Sequence, residues 1–179
     1  LDPGKLLEIY KKKPSSPDYR LKPETADAAP GDVEAAYSAL CACFNRLRAV
    51  WRQEGESAVR MLGKAIEEKA LNNTQHKAGH IQRIISYMNC EDPLQWQSDF
   101  AKYTPGGFRP NKGHVPPVST FFDAMGRMKE CMDSYSDTVK RFRITVIKKL
   151  FDSAERDTEF MSLSSGERGF DDLIRGVYS

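Results

Sequence analysis

Two long stretches of the chain carry apolar residues in alternating steps of three and four, the spacing of one face of an α-helix. The first lies within residues 32–71, which no proline interrupts, and comprises Val33, Tyr37, Leu40, Phe44, Leu47 and Trp51. The second is longer and comprises Val118, Phe121, Met125, Met128, Met132, Tyr135, Val139, Phe142 and Val146. Both are heptad patterns, typical of coiled coils. We therefore predict an all-α helical bundle built on two long helices, with Phe44, Leu47 and Trp51 packed against residues 128–142.

Shorter helical patterns and a loop lie between the two long ones. Residues 75–89 predict one short helix, and Pro93 begins a further helical turn or two. Residues 104–117 contain four prolines and three glycines, a composition that predicts a loop. Loops of this length are commonly functional, and an aromatic beside an arginine suits an interface. We expect this loop to be exposed, with Phe108 and Arg109 as its contacts with a partner.

The first 31 residues form a predicted arm and linker that precede the bundle domain of residues 32–179. Residues 1–13 can form a short amphipathic helix, and residues 14–31 are polar and rich in proline. A helix this short is marginal by itself in water, so its apolar side needs a surface to cover it. We expect the arm to dock on the bundle, a second copy or a partner through Leu6, Leu7, Ile9 and Tyr10.

Composition and charge favour a soluble protein without an obvious nucleic-acid function. Of the 179 residues, 40% are apolar and 29% are charged, and the net charge is only +2, too small to predict a nucleic-acid partner. Neither a membrane-spanning run nor a signal-peptide pattern is visible. One basic stretch, residues 140–149, includes Lys140, Arg141 and Lys148. These side chains are candidate contacts with a membrane surface, although interspersed apolar residues favour a solvated face.

The four cysteines show no metal-binding spacing. They are Cys41, Cys43, Cys90 and Cys131, and we predict them to be reduced, mostly buried thiols of an intracellular, cytoplasmic protein. The alternative is a secreted helical bundle with two disulfides, which the glycosylation triplet Asn72-Asn73-Thr74 would suit.

Local signatures of catalysis are missing from the sequence. The glycine-containing segment 107–113 lacks the Gly-Lys-Ser/Thr order of a phosphate-binding loop, and neither GxGxxG nor GxSxG occurs. His76 and His80 have the spacing of a metal-binding pair, but no third ligand lies nearby in the sequence. We therefore read them as two solvent-facing histidines. We predict no catalytic residue, no cofactor and no metal site.

Together these patterns predict a noncatalytic helical module for protein–protein interaction or scaffolding. Its partner would be another protein or a second copy in a homodimer. The long helices, basic stretch and amphipathic arm resemble membrane-binding dimers of the BAR type, and equally resemble coiled-coil scaffold subunits; neither family has a motif that is matched here. A membrane-surface module of BAR-like type that uses residues 140–149, and a secreted helical-bundle signalling protein, are the alternatives.

Overall fold

The computed structural model describes residues 27–165, with side chains up to residue 157 except residue 155. Three α-helices and two short 3-10 helices account for most of this range. They are α1 (Pro30–Glu67), α2 (Ala78–Asn89), the 3-10 helices Pro93–Gln95 and Ser98–Tyr103, and α3 (Thr120–Ser165). No strand occurs in the described range. The prediction of an all-α fold with two long helices is confirmed.

The chain divides into two compact units. The larger is Ala29–Val139, and the smaller includes residues 27–28 and the described chain from Lys140 onward. Within the smaller unit, the buried Oγ1 of Thr145 accepts a hydrogen bond from the backbone N–H of Ala28 at 3.1 Å. The predicted boundary between an arm and a bundle at residue 31 concerns mainly residues outside the described range, and it stays a prediction.

Helix α1 begins at Pro30, because a proline at the first helical position has a suitable φ and needs no hydrogen bond for its nitrogen. Asp32 is the third residue of α1, and its carboxylate accepts the backbone N–H of Ala29 at 2.8 Å. The negative charge of that carboxylate also favours the helix N-terminus. The helix ends at Glu67, followed by Lys69 in the left-handed region with φ of 53°.

Helix α1 packs antiparallel to the part of α3 that belongs to the larger unit. The rings of Tyr37 and Tyr135 lie 5.9 Å apart, and those of Trp51 and Phe121 lie 5.0 Å apart. Residues later in α1 therefore contact residues earlier in α3, as expected for antiparallel helices. The expectation that Trp51 faces residues 128–142 is wrong in register, since its ring packs about two turns closer to the start of α3.

The core of the larger unit draws on α1, α2, α3 and the second 3-10 helix. Its most deeply buried large side chains are Leu40, Leu47, Leu71, Met88, Phe100, Tyr103, Phe121, Phe122, Met125 and Met128. The ring of Tyr87 on α2 lies 5.1 Å from that of Phe44 and 5.2 Å from that of Phe100. Helix α2 therefore joins α1 to the second 3-10 helix through aromatic contacts.

A disulfide between Cys43 and Cys131 links α1 to α3. The prediction that all four cysteines are reduced is wrong for this pair, because the antiparallel register brings the two side chains together. Cys41 and Cys90 are free thiols of intermediate exposure. The argument for a cytoplasmic location, which rested on four reduced cysteines, therefore loses its basis. Among residues 27–165, none of the helices combines the length and apolar composition that a membrane crossing requires.

Candidate functional site

The connection between the second 3-10 helix and α3 is fixed to the turn that follows α1. The backbone N–H of Asn111 donates to the carbonyl of Ala70 at 2.8 Å, and that of Asn72 donates to the carbonyl of Arg109 at 2.9 Å. The side-chain amide of Asn111 also donates to the carbonyl of Lys69 at 2.7 Å. These bonds hold the middle of the loop as an ordered segment on the body of the larger unit.

Phe108 lies in the core rather than on the surface of this loop. Its side chain is only 4% exposed, and its ring lies 5.0 Å from that of Phe122 and 5.8 Å from that of His76. The prediction that Phe108 is exposed is wrong, because the backbone bonds at Asn72 and Asn111 turn this part of the loop inward. Phe108 is thus a packing residue that anchors the loop to α3.

Arg109 is exposed, as expected, but its guanidinium is partly engaged within the loop. Its Nη1 donates to the carbonyl oxygens of Gly106 and Phe108 at 3.2 and 3.1 Å. Its backbone N–H donates to Nε2 of His76 at 3.2 Å. These contacts support a role for Arg109 in shaping the loop, and its role as a partner contact stays a prediction.

The most exposed apolar side chains of the loop lie in its last part, immediately before α3. Val115 is 84% exposed and Val118 is 77% exposed, and Pro116 and Pro117 separate them. Val118 was expected to begin the apolar face of the second long helix, but α3 begins two residues later, at Thr120. The sequence analysis did not predict that these two valines are exposed, although the two prolines between them could have indicated it. We call residues 114–118 the valine-proline segment.

His76 and His80 are both buried, at 1% and 5% exposure, so the reading of them as solvent-facing is wrong. The loop and the second 3-10 helix cover the start of α2 and exclude water there. Nδ1 of His80 lies 2.7 Å from the hydroxyl of Tyr103. Nε2 of His76 accepts the backbone N–H of Arg109, which places the proton of the neutral ring on Nδ1. That nitrogen is buried without a hydrogen-bond partner among the described residues.

A charged rim borders the buried histidines. The carboxylate of Asp99 accepts a hydrogen bond from Lys102 and forms an ion pair with Arg83 at 3.2 Å. Its Oδ2 also lies 3.8 Å from Nε2 of His80. The hydrogen bond from Lys102 lowers the pKa of Asp99. Burial raises the pKa of Tyr103 to about 12, so its hydroxyl stays protonated and can donate to His80. Tyr103 is fully buried, and its contact with His80 joins α2 to the second 3-10 helix.

Acid should destabilise the protein through these two histidines. Burial lowers the pKa of His76 and of His80, and nearby Arg83, Lys102 and Arg109 add to the effect while Asp99 opposes it at His80. In the unfolded chain both rings bind protons below about pH 6.5. The folded chain binds them less readily, so stability present above that pH is lost as pH falls through it.

We expect the free energy of unfolding to fall as the pH falls below about 6.5, measured by urea unfolding at a series of pH values. The double variant His76→Gln/His80→Gln should be less stable at neutral pH but should show a much smaller slope over this pH range. An equal slope in both proteins would assign the acid sensitivity to other groups.

The basic stretch does not form one continuous face. Lys140 and Arg141 are exposed and Lys148 is half-buried. At about 100° per residue, Arg141 and Lys148 share one side of α3, whereas Lys140 points to another. Lys140 and Arg141 also have interactions within the protein. The membrane contact predicted for these three residues remains untested.

The remaining predicted sites concern the N-terminal arm and metals. Leu6, Leu7, Ile9 and Tyr10 lie outside the described residues. Within the described part of the chain, no group of three or more His, Cys, Asp or Glu side chains has the arrangement of a metal site.

Comparison with known proteins gives no relative. No family model, no curated protein and no solved structure matches this chain.

Proposed function

We propose that this protein is a noncatalytic helical interaction module that presents the valine-proline segment, residues 114–118, to another protein. The observation that carries the proposal is the exposure of Val115 and Val118, at 84% and 77%, in a loop whose preceding part is fixed to the core. Apolar side chains displayed in this way gain free energy only when a partner covers them.

The chemistry of the segment indicates the kind of partner. Pro116 and Pro117 fix their own φ angles, and each disfavours a helical conformation for the residue before it. The segment is thus biased toward the extended polyproline conformation, which loses little entropy when it binds. Partners that read such segments use grooves lined with aromatic side chains. We therefore expect an aromatic groove with one pocket for each valine.

The body of the larger unit supplies rigidity at both ends of the segment. On one side, Asn111 is hydrogen-bonded to the turn after α1, and on the other, Phe121 and Phe122 are buried in the core at the start of α3. A segment held at both ends needs less ordering when it binds, and this favours affinity. The helical bundle would then act as the scaffold for one short recognition element.

The disulfide favours a second version of this proposal, a helical-bundle protein of an oxidising compartment. Stable disulfides are typical of secreted and periplasmic proteins, and are rare in the cytosol. The bond between Cys43 and Cys131 therefore supports the secreted alternative over the cytoplasmic one. The membrane-surface alternative has no comparable support, since the basic side chains of residues 140–149 are divided among several directions on α3.

The proposal can be tested by replacing both valines with serine. Val115→Ser/Val118→Ser should leave stability within about 0.5 kcal/mol, because exposed side chains contribute little to folding. It should abolish capture of the partner by immobilised protein. Leu94→Ser is the matched control, since Leu94 is also an exposed apolar residue, at 43%, but lies outside the segment.

A synthetic peptide of residues 112–120 should compete for the captured partner, whereas the same peptide with both valines replaced should not. Light scattering separates a second copy from a different protein, because a homodimer doubles the mass. If Val115→Ser/Val118→Ser captures the same partners as the Leu94→Ser control, the valine-proline segment has no role in binding.

A further inference from the structure

A groove beside the middle of α1 is lined by three arginines. Arg48, Arg52 and Arg60 border it, together with Trp51 of α1 and Met88 of α2, and its volume is about 560 Å³. All of these residues belong to the larger unit. The groove is distinct from the valine-proline segment, and nothing in the proposed interaction uses it.

The three arginines follow one row along the helix surface. Arg48, Arg52, Glu56 and Arg60 are four residues apart, so each step advances about 6 Å along α1. The row therefore carries three positive charges and one negative charge. Within the part of the chain that the structure describes, none of the three guanidinium groups forms an ion pair. Arg48 and Arg52 are neighbours in this row and repel one another unless an anion lies between them, whereas Glu56 already lies between Arg52 and Arg60.

The wall of the groove depends on an unusual glycine. Gly55 is buried inside α1, where glycine weakens a helix. A Cβ atom at this position would lie only 2.7 Å from Cδ2 of Trp51. The absence of a side chain at Gly55 lets the indole lie flat against the helix. The ring of Trp51 then contacts Phe121 in the core while also lining the groove.

One arginine is positioned in advance of any ligand. The guanidinium carbon of Arg48 lies 5.7 Å from the centre of the Phe44 ring, and the Phe44 ring is itself buried. Among the described residues, the guanidinium of Arg48 has no hydrogen-bond or ion-pair partner besides its contact with this ring. The donors of Arg48 thus remain available to the groove.

We propose that this groove binds a ligand that carries two or more phosphate groups. The planar guanidinium donates two parallel hydrogen bonds to a phosphate, and arginine is the preferred side chain for this geometry. Three arginines along about 18 Å of helix match several anionic groups better than one. The half-buried ring of Trp51 provides an apolar surface for the carbon skeleton of the ligand. Such a ligand is either a soluble phosphorylated molecule or the headgroup of a phosphorylated lipid.

Titration calorimetry on the full chain with inositol hexakisphosphate, and separately with inorganic pyrophosphate, tests the proposal. We expect binding that weakens with added salt. Arg52→Gln and Arg60→Gln should each weaken it about tenfold, as expected for the loss of a charge-assisted hydrogen bond. Glu56→Gln should tighten binding, since it removes the one carboxylate of the row. Arg46→Gln is the matched control, because it removes the same charge from an exposed position of α1 outside the groove.

Sedimentation with phosphatidylcholine vesicles that contain phosphatidylinositol bisphosphate distinguishes the two sources. Binding to the soluble probes alone assigns the groove to a soluble ligand, and additional arginine-dependent binding to vesicles assigns it to a headgroup. The proposal is overturned if inositol hexakisphosphate, pyrophosphate and the vesicles all fail to bind. It is also overturned if Arg46→Gln weakens binding as much as Arg52→Gln does. Melting curves of all variants should coincide, because the substituted side chains lie at the surface.

Discussion

Replacing Phe108 with alanine is expected to lower the free energy of unfolding by about 3–5 kcal/mol, the usual range for a buried phenylalanine. The ring is 4% exposed and packs against Phe122, His76 and Tyr103, which belong to three different parts of the larger unit. Its removal leaves a cavity that these neighbours cannot all close. Urea unfolding monitored by circular dichroism measures the change.

The matched control for this substitution is Val115→Ala in the same loop. Because Val115 is 84% exposed, its truncation should change stability by no more than about 0.5 kcal/mol. If Phe108→Ala is as well tolerated as Val115→Ala, Phe108 is a surface residue, and the packing described for the loop is wrong.

Removing the disulfide should produce the second large effect. The double variant Cys43→Ala/Cys131→Ala is expected to lose about 2–4 kcal/mol of stability, because the bond restricts the unfolded chain across a long loop. The two cysteines are 88 residues apart in the sequence. Unfolding in urea with and without a reducing agent should show the same loss in the wild-type protein and no further loss in the variant.

Cys41→Ala/Cys90→Ala provides the control, since both residues are free thiols. It should remain sensitive to reducing agent, as the wild type is. Thiol titration of the unfolded, unreduced wild-type protein should give two reactive groups. Four reactive groups would mean that the bond is absent, and would remove its support for an oxidising compartment.

The helical architecture was predictable because long apolar periodicity is a local signal. Met125 and Met128 follow the second heptad pattern, and both are fully buried. The start of α1 lies two residues before the predicted segment of residues 32–71, because Pro30 and Gly31, which were assigned to the linker, form its first two residues. The register between α1 and α3 could not be predicted, because the apolar faces of the two helices would match in several relative positions.

The candidate site was harder to predict, because long-range backbone hydrogen bonds determine which loop side chains face inward. Phe108 and Val115 belong to the same loop, yet one is buried and the other is exposed. The difference arises from Asn111, whose bonds to Lys69 and Ala70 cross about 40 residues of sequence. His76 and His80 are buried for the same reason, since the loop that covers them is distant in the sequence. The sequence around a polar residue does not indicate whether a distant loop will bury it.

Photo-crosslinking from the valine-proline segment tests the central proposal most directly. A photoreactive phenylalanine analogue placed at position 118, in cells that express the protein, should form a covalent adduct with one partner, and the adduct should map to an aromatic groove of that partner. The same analogue at position 94, another exposed apolar site, should not form it. An identical set of adducts from both positions, or none from position 118, would contradict the account.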